Sequence, residues 1–180
     1  GKWECVGGGG TGRQGEWINP PRNVAGVVFQ HEGGAETVWE DRAAKWRWLV
    51  VLRGGVCDDV CQNQLYQTRQ VHVALGKEFN RVGRVMLGDV RTASVAVVGS
   101  DAESQIRSGL LDWLEQQHVG VISLTLSPAE LAELLPEAVD QPRQWYVVDP
   151  AGWIMMRISD DLYYKDVISD LRFLLKHSGG

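Results

Sequence analysis

The stretch GGVCDDVC, residues 54–61, sets two thiols, Cys57 and Cys61, four positions apart. On a helix that separation puts both sulfurs on one face, near enough to share a soft cation or to close on each other as a disulfide. A helix beginning just behind Cys57 favours thiolate in either use, because its N-terminal dipole lowers thiol pKa. Asp58 and Asp59 lie between the cysteines and work against a thiolate while favouring a bound cation, although one of them also serves as an ordinary helix cap. There is no second cysteine pair and no zinc-type spacing, which argues against a structural zinc site of four protein ligands. Cu(I) needs fewer donors, and thiolate sulfur suits it.

The other metal-ligating residue types are poorly placed to complete such a site. His72 shares the helical stripe of Cys61, but eleven residues further on, about 16 Å along a helix. His118 closes a helix, where a cation is welcome. His31 and His177 reach the cysteines only through tertiary folding, and Met155 and Met156 sit in a strand, where core packing is their role. Cys5, between Trp3 and a run of four glycines, reads as a free thiol in a segment too flexible to hold a ligand geometry.

The elements that must position Cys57 and Cys61 can be read from hydrophobic periodicity. Residues 1–37 are rich in glycine, carry the Pro20-Pro21 pair and show no sustained period, so they read as a flexible tail and an extended lead-in to a domain over 38–180. WRWLVVL (46–52) is an apolar run of strand length that delivers Cys57 to a loop through Gly54-Gly55. Cys61, Leu65, Thr68, His72, Leu75 and Phe79 then recur at helical spacing, with Gly76 near the helix end. Strands follow over 84–90 and 119–126, and the apolar run 94–100 between them carries no assigned role. Ser100 or Asp101 is placed to cap a helix running through ESQIRSGLLDWLEQQ. Ser127-Pro128 opens a short helix, Asp-Pro-Ala-Gly turns a hairpin within 145–158, and 162–176 closes the chain as a helix. The alternation predicts an α/β fold with a central mixed β-sheet flanked by helices.

Composition narrows the partners. A net charge of −5 with no Lys/Arg-rich stripe argues against nucleic acid or an anionic membrane surface as the main partner. No run approaches the roughly 18 apolar residues of a membrane span. The chain begins without Met, and the expectation is a targeting or anchoring segment ahead of it.

The strand leading to Cys57-Asp58-Asp59-Val60-Cys61 and its helix, together with VDQPRQWYVVDPAG (139–152), resembles the Sco/SenC proteins, over residues 46–176 or so. These are thioredoxin-like proteins that assist assembly of the copper site of cytochrome c oxidase. The resemblance implies that Cys57 and Cys61 are the redox and metal-binding pair, with Cys57, usually the more exposed, as attacking thiol and Cys61 as resolving thiol. It also implies a third copper ligand, a histidine in the VDH-like stretch, and here that position is Gln141. A glutamine amide oxygen is a hard neutral donor that suits Cu(I) poorly. Pro142 falls near the place where thioredoxin folds set a cis-proline, an ordinary trans turn proline being the alternative.

Three readings remain open on sequence. The first is a thiol–disulfide reductant toward a partner; the second is a Cu(I) chaperone using both sulfurs; the third is a non-catalytic assembly scaffold. The resemblance names the partner as a cytochrome oxidase subunit or another copper or thiol assembly factor. It places the domain on the periplasmic face of the bacterial inner membrane, held by an N-terminal anchoring helix.

Overall fold

In the computed structural model, which describes residues 15–98 and 105–178, the apolar runs become strands and the stripes become helices. In chain order they are β1 (Glu16–Asn23), β2 (Val28–Gln30), β3 (Glu36–Val38), β4 (Trp46–Val51), β5 (Val56–Cys57), α1 (Asp59–Val73), β6 (Val82–Gly88), β7 (Ser94–Val98), β8 (Gln105–Gly109), α2 (Leu110–Gln117), β9 (Val121–Thr125), α3 (Pro128–Leu134), α4 (Glu137–Asp140), β10 (Gln144–Val148), β11 (Trp153–Ser159) and α5 (Tyr164–His177).

One mixed sheet runs β1-β11-β10-β4-β6-β9-β2-β3, with β4, β6 and β9 parallel and the outer pairings antiparallel. β4 is buried at every position because both of its faces are covered. Trp46, Trp48 and Val50 enter a core shared with α1, α2 and α5, while Leu49 and Val51 enter a second core with Leu131 of α3 and Ala138 of α4. A strand covered on both sides reads as an unbroken apolar run rather than an alternating one. Met155 and Met156 of β11 are core residues, 2% and 3% exposed.

Two parts of the chain depart from the sequence reading. The lead-in is not an appendage: β1 pairs with β11 at one edge of the sheet and β2 and β3 form the other, so the boundary at residue 38 falls inside one sheet. Arg22 of β1 further joins Glu137 of α4 in an ion pair of 2.7 Å. The second departure is the helix expected through 103–117, which is helical only from Leu110. Residues 105–109 form β8 instead, antiparallel to β7, and Gly109 interrupts any helix at a cost of about 1 kcal/mol relative to alanine. The caps proposed at Ser100 and Asp101 lie outside the described residues. The run of unassigned role is thus β7, the middle of a second sheet ordered β5-β7-β8.

Glycine is required at two junctions. Gly152 ends the Asp-Pro-Ala-Gly turn at φ +90°, with Asp149 Oδ1 accepting the N–H groups of Ala151 and Trp153, both at 2.9 Å. Gly88 lets the end of β6 approach β4, since a Cβ there would lie 2.5 Å from the Leu52 carbonyl oxygen.

His118 follows α2 as its C-cap, but it is no cation. It is buried, with Nδ1 3.3 Å from Arg84 Nη1, and burial, then Arg84, then Arg69 push its pKa down to about 4. The fold therefore holds neutral imidazole, whereas the unfolded chain binds a proton near the ordinary value of 6.5. Stability from this group is full above about pH 6.5 and is lost as pH falls toward about 4. Urea unfolding at pH 7 and at pH 4.5 should show a loss on the order of 2 kcal/mol that His118→Gln removes; identical pH dependence in the variant would refute the assignment.

Candidate redox site

The second sheet positions the first cysteine. β5 is only two residues long and pairs in parallel with β7, Val56 opposite Ser94 and Cys57 opposite Val95. The chain then turns into α1 with Asp58 as N-cap, its Oδ1 accepting the Cys61 N–H at 3.0 Å. Capping thus accounts for Asp58, while Asp59 occupies the exposed first turn. Cys61 is the third helical residue, and it forms a disulfide with Cys57 across a Cα–Cα separation of 5.1 Å, within the range a disulfide bridges. Gln62 ties the junction to β7, donating to the carbonyls of Cys57 (3.1 Å) and Ala96 (2.8 Å).

Both cysteines are buried, Cys57 at 0% and Cys61 at 3% exposure. The expectation that Cys57 is the more exposed of the two fails because strand pairing with β7 encloses it. Exposure therefore gives no basis for assigning the attacking and resolving thiols.

The next turns of α1 carry a buried polar clamp that the sequence reading missed. Gln64 donates from Nε2 to the Pro142 carbonyl (2.9 Å) and to Asp160 Oδ2 (3.0 Å). Gln67 donates to the Leu162 carbonyl (2.9 Å), and its Oε1 accepts Trp145 Nε1–H at 2.6 Å. Asp160, with a side chain 0% exposed, also accepts from Arg143 Nε at 3.1 Å. Cys61, Gln64, Leu65, Gln67, Thr68 and Val71 form the buried face of α1. The stripe chosen by apolar character drifts away from it toward His72 and exposed Phe79. Glutamines at i+3 and i+6 from Cys61 were the available signal, disguised by their polarity.

Arg53, between β4 and β5, feels Asp58, Tyr146 and Asp160 together; its pKa is lowered, with burial outweighing those attractions. Tyr146 is buried on β10, and burial raises its pKa to about 12. The Gln141–Pro142–Arg143 loop meets α1 through the Pro142 carbonyl, one turn past Cys61. The peptide before Pro142 is trans, the cis bond among the described residues being Asn19–Pro20. Gln141 itself is exposed as the C-cap of α4, and its Oε1 faces Gln144 Nε2 at 3.5 Å.

These residues do not fit a three-ligand Cu(I) site. The disulfide occupies both sulfurs until it is reduced, and among the described residues no third donor stands beside them. His72 stacks on Phe79 and bonds its carbonyl, His118 faces Arg84, His31 bonds Gly33, and His177 lies against Phe173. Among the described residues no three His, Cys, Asp or Glu side chains gather as ligands.

Comparison with known proteins agrees with the fold. The family model for the transmembrane-like, thioredoxin-like, C-terminal domain matches residues 46–120 and 114–178. No curated protein matches the chain. Among solved structures, copper-bound yeast Sco1 is similar with a TM-score of 0.59 and 15% identity, covering 87% of this chain and 91% of that one. A SCO1/SenC family lipoprotein from Bacillus anthracis gives 0.58 and 15%, covering 88% and 99%. BsSco, described as a Sco-family cytochrome c oxidase assembly protein with a disulfide switch, gives 0.54 and 14%, covering 88% and 96%. The chain has a Sco/SenC-like thioredoxin fold.

The clamp makes a non-additive prediction. Gln67→Leu strands a buried indole N–H and should cost about 2 kcal/mol in urea unfolding. Trp145→Phe should cost less in the Gln67→Leu background than in the wild type, because the orphaned donor goes with it; simple additivity would mean that the bond is not made.

Proposed function

The chain belongs to the family of transmembrane-like, thioredoxin-like C-terminal domains, and on that premise we propose that Cys57 and Cys61 form a reversible dithiol–disulfide couple acting as reductant toward a partner in cytochrome oxidase assembly. The observation that carries this reading is the pairing itself: two cysteines bonded across the start of α1, with no third metal donor beside them among the described residues. Supporting it, the dipole of the N-terminal turn of α1 favours a thiolate once the bond opens, although the Asp58 cap, which takes the Cys61 N–H, opposes it.

The chemistry balances without a metal. A thiolate of the reduced pair attacks the partner's disulfide, one partner sulfur leaves as thiolate, and a mixed disulfide forms. The second thiol of the pair then displaces the other partner sulfur. Two electrons pass to the partner, which ends as a dithiol, and Cys57–Cys61 ends as the disulfide. A dithiol donor protein must reduce it again.

The partner in this reading is an oxidase subunit or another copper or thiol assembly factor, by analogy with the Sco proteins of the same fold. The domain works on the periplasmic face of a bacterial inner membrane, tethered upstream of the described residues. The lipoprotein among its structural neighbours and the family's transmembrane-like description support that placement. No helix of the described residues is long and apolar enough to cross a membrane. Burial of both cysteines favours one competing reading, an assembly scaffold whose disulfide is purely structural.

Reduced protein held metal-free by a chelator and mixed with an oxidised two-cysteine peptide should reduce it mole for mole. The Cys57–Cys61 bond should return, as mass spectrometry after alkylation would read. Cys57→Ser and Cys61→Ser should each abolish turnover. Retention of both thiols beside an intact peptide disulfide would overturn the reading.

A further inference from the structure

Two short basic segments, about ninety residues apart in sequence, meet at one pole of the fold. Lys77 and Arg81 lie on the 3-10 turn Gly76–Arg81, and Arg172 and Lys176 on the last turns of α5. Together with Glu78 they line an open groove of about 680 Å³ whose floor is Leu75 and Leu175. Four cations against one carboxylate is a sharp local reversal in a chain of net charge −5. No basic stripe announces it in the sequence, because the fold assembles it.

Part of this charge serves the helices. Arg81 bonds Glu78, the Leu175 carbonyl and Ser178, and Arg172 bonds the Ala74 carbonyl at the end of α1. Lys77 and Lys176 make no ion pair among the described residues and stand exposed at the rim. Exposed apolar side chains occur on the same elements: Phe173 of α5 is 61% exposed, Val73 at the end of α1 is 60%, and Phe79 of the 3-10 turn is 42%. Lysines that hold their charge in water beside exposed aromatic and aliphatic groups suit the boundary of an anionic bilayer, where charge meets headgroup phosphate and apolar groups enter the acyl margin.

The path of the chain points the same way. The Gly15 N–H bonds Asp170 Oδ2 at 3.1 Å, so the first described residue sits against α5, six residues from Lys176, or about 9 Å along the helix.

We propose that this groove is a lipid-docking surface that holds the phosphate headgroups of an anionic membrane. The proposal rests on the membrane-side placement argued above and is independent of the cysteine chemistry. A vesicle assay scores the surface alone, whereas salt-resistant membrane fractionation scores the tether.

The test is co-sedimentation of the full chain with phosphatidylglycerol/phosphatidylcholine vesicles and with pure phosphatidylcholine. Binding should need the anionic lipid and weaken with salt. Lys77→Glu with Lys176→Glu should lower it by at least about 25-fold, roughly five-fold for each positive charge removed, with repulsion from the two new carboxylates adding to the loss. Lys165→Glu, at the other end of α5, should leave it unchanged. Absence of anionic-lipid binding, an equal loss from Lys165→Glu, or binding of inorganic phosphate without binding of vesicles would each overturn the proposal.

Discussion

The buried amides of Gln64 and Gln67 are the constraint on which the rest of the site depends. A helix packed on a sheet by apolar contact alone can slide or rotate at small cost, but these two side chains specify a register. They bind α1 to Pro142, Asp160, Leu162 and Trp145, groups on or beside the β10–β11 hairpin. Each sits where an unmet hydrogen bond is expensive. Because Cys61 belongs to the same helical face, holding α1 also holds the second sulfur. Gln62, pointing elsewhere, holds the loop of the first.

Two sheets therefore converge on one disulfide. The main sheet anchors α1 from behind, and the small β5-β7-β8 sheet fixes the strand that ends at Cys57. The price of this double support is access, since neither sulfur lies in an exposed loop. The position where the Sco resemblance implies a histidine carries Gln141 on the surface, engaged with Gln144 rather than with sulfur.

Much of the fold was legible because it follows from burial. β4 announced itself as an apolar run, the Asp-Pro-Ala-Gly hairpin as turn chemistry, and α3 by Ser127 and Pro128 at its start. What escaped was set by partners distant in sequence. β1 has two prolines and no apolar period, yet it is a strand because β11 offers it an edge. Residues 105–109 look helical in isolation and are a strand because β7 needs a partner longer than β5. In the site, the cysteines were evident from spacing and the Asp58 cap was one of two stated roles. Gln64, Gln67 and Asp160 were invisible, since a polar residue reads as solvent-facing until its buried partner is known.

The reduction potential of the Cys57–Cys61 pair tests the central claim most directly. It can be read by quantitative thiol alkylation after equilibration in graded dithiol/disulfide buffers without metal. A reversible couple acting on protein partners predicts one two-electron transition above about −300 mV, within reach of cellular dithiol donors. A bond that stays closed well below about −300 mV would be structural, and the domain would then be a scaffold rather than a reductant.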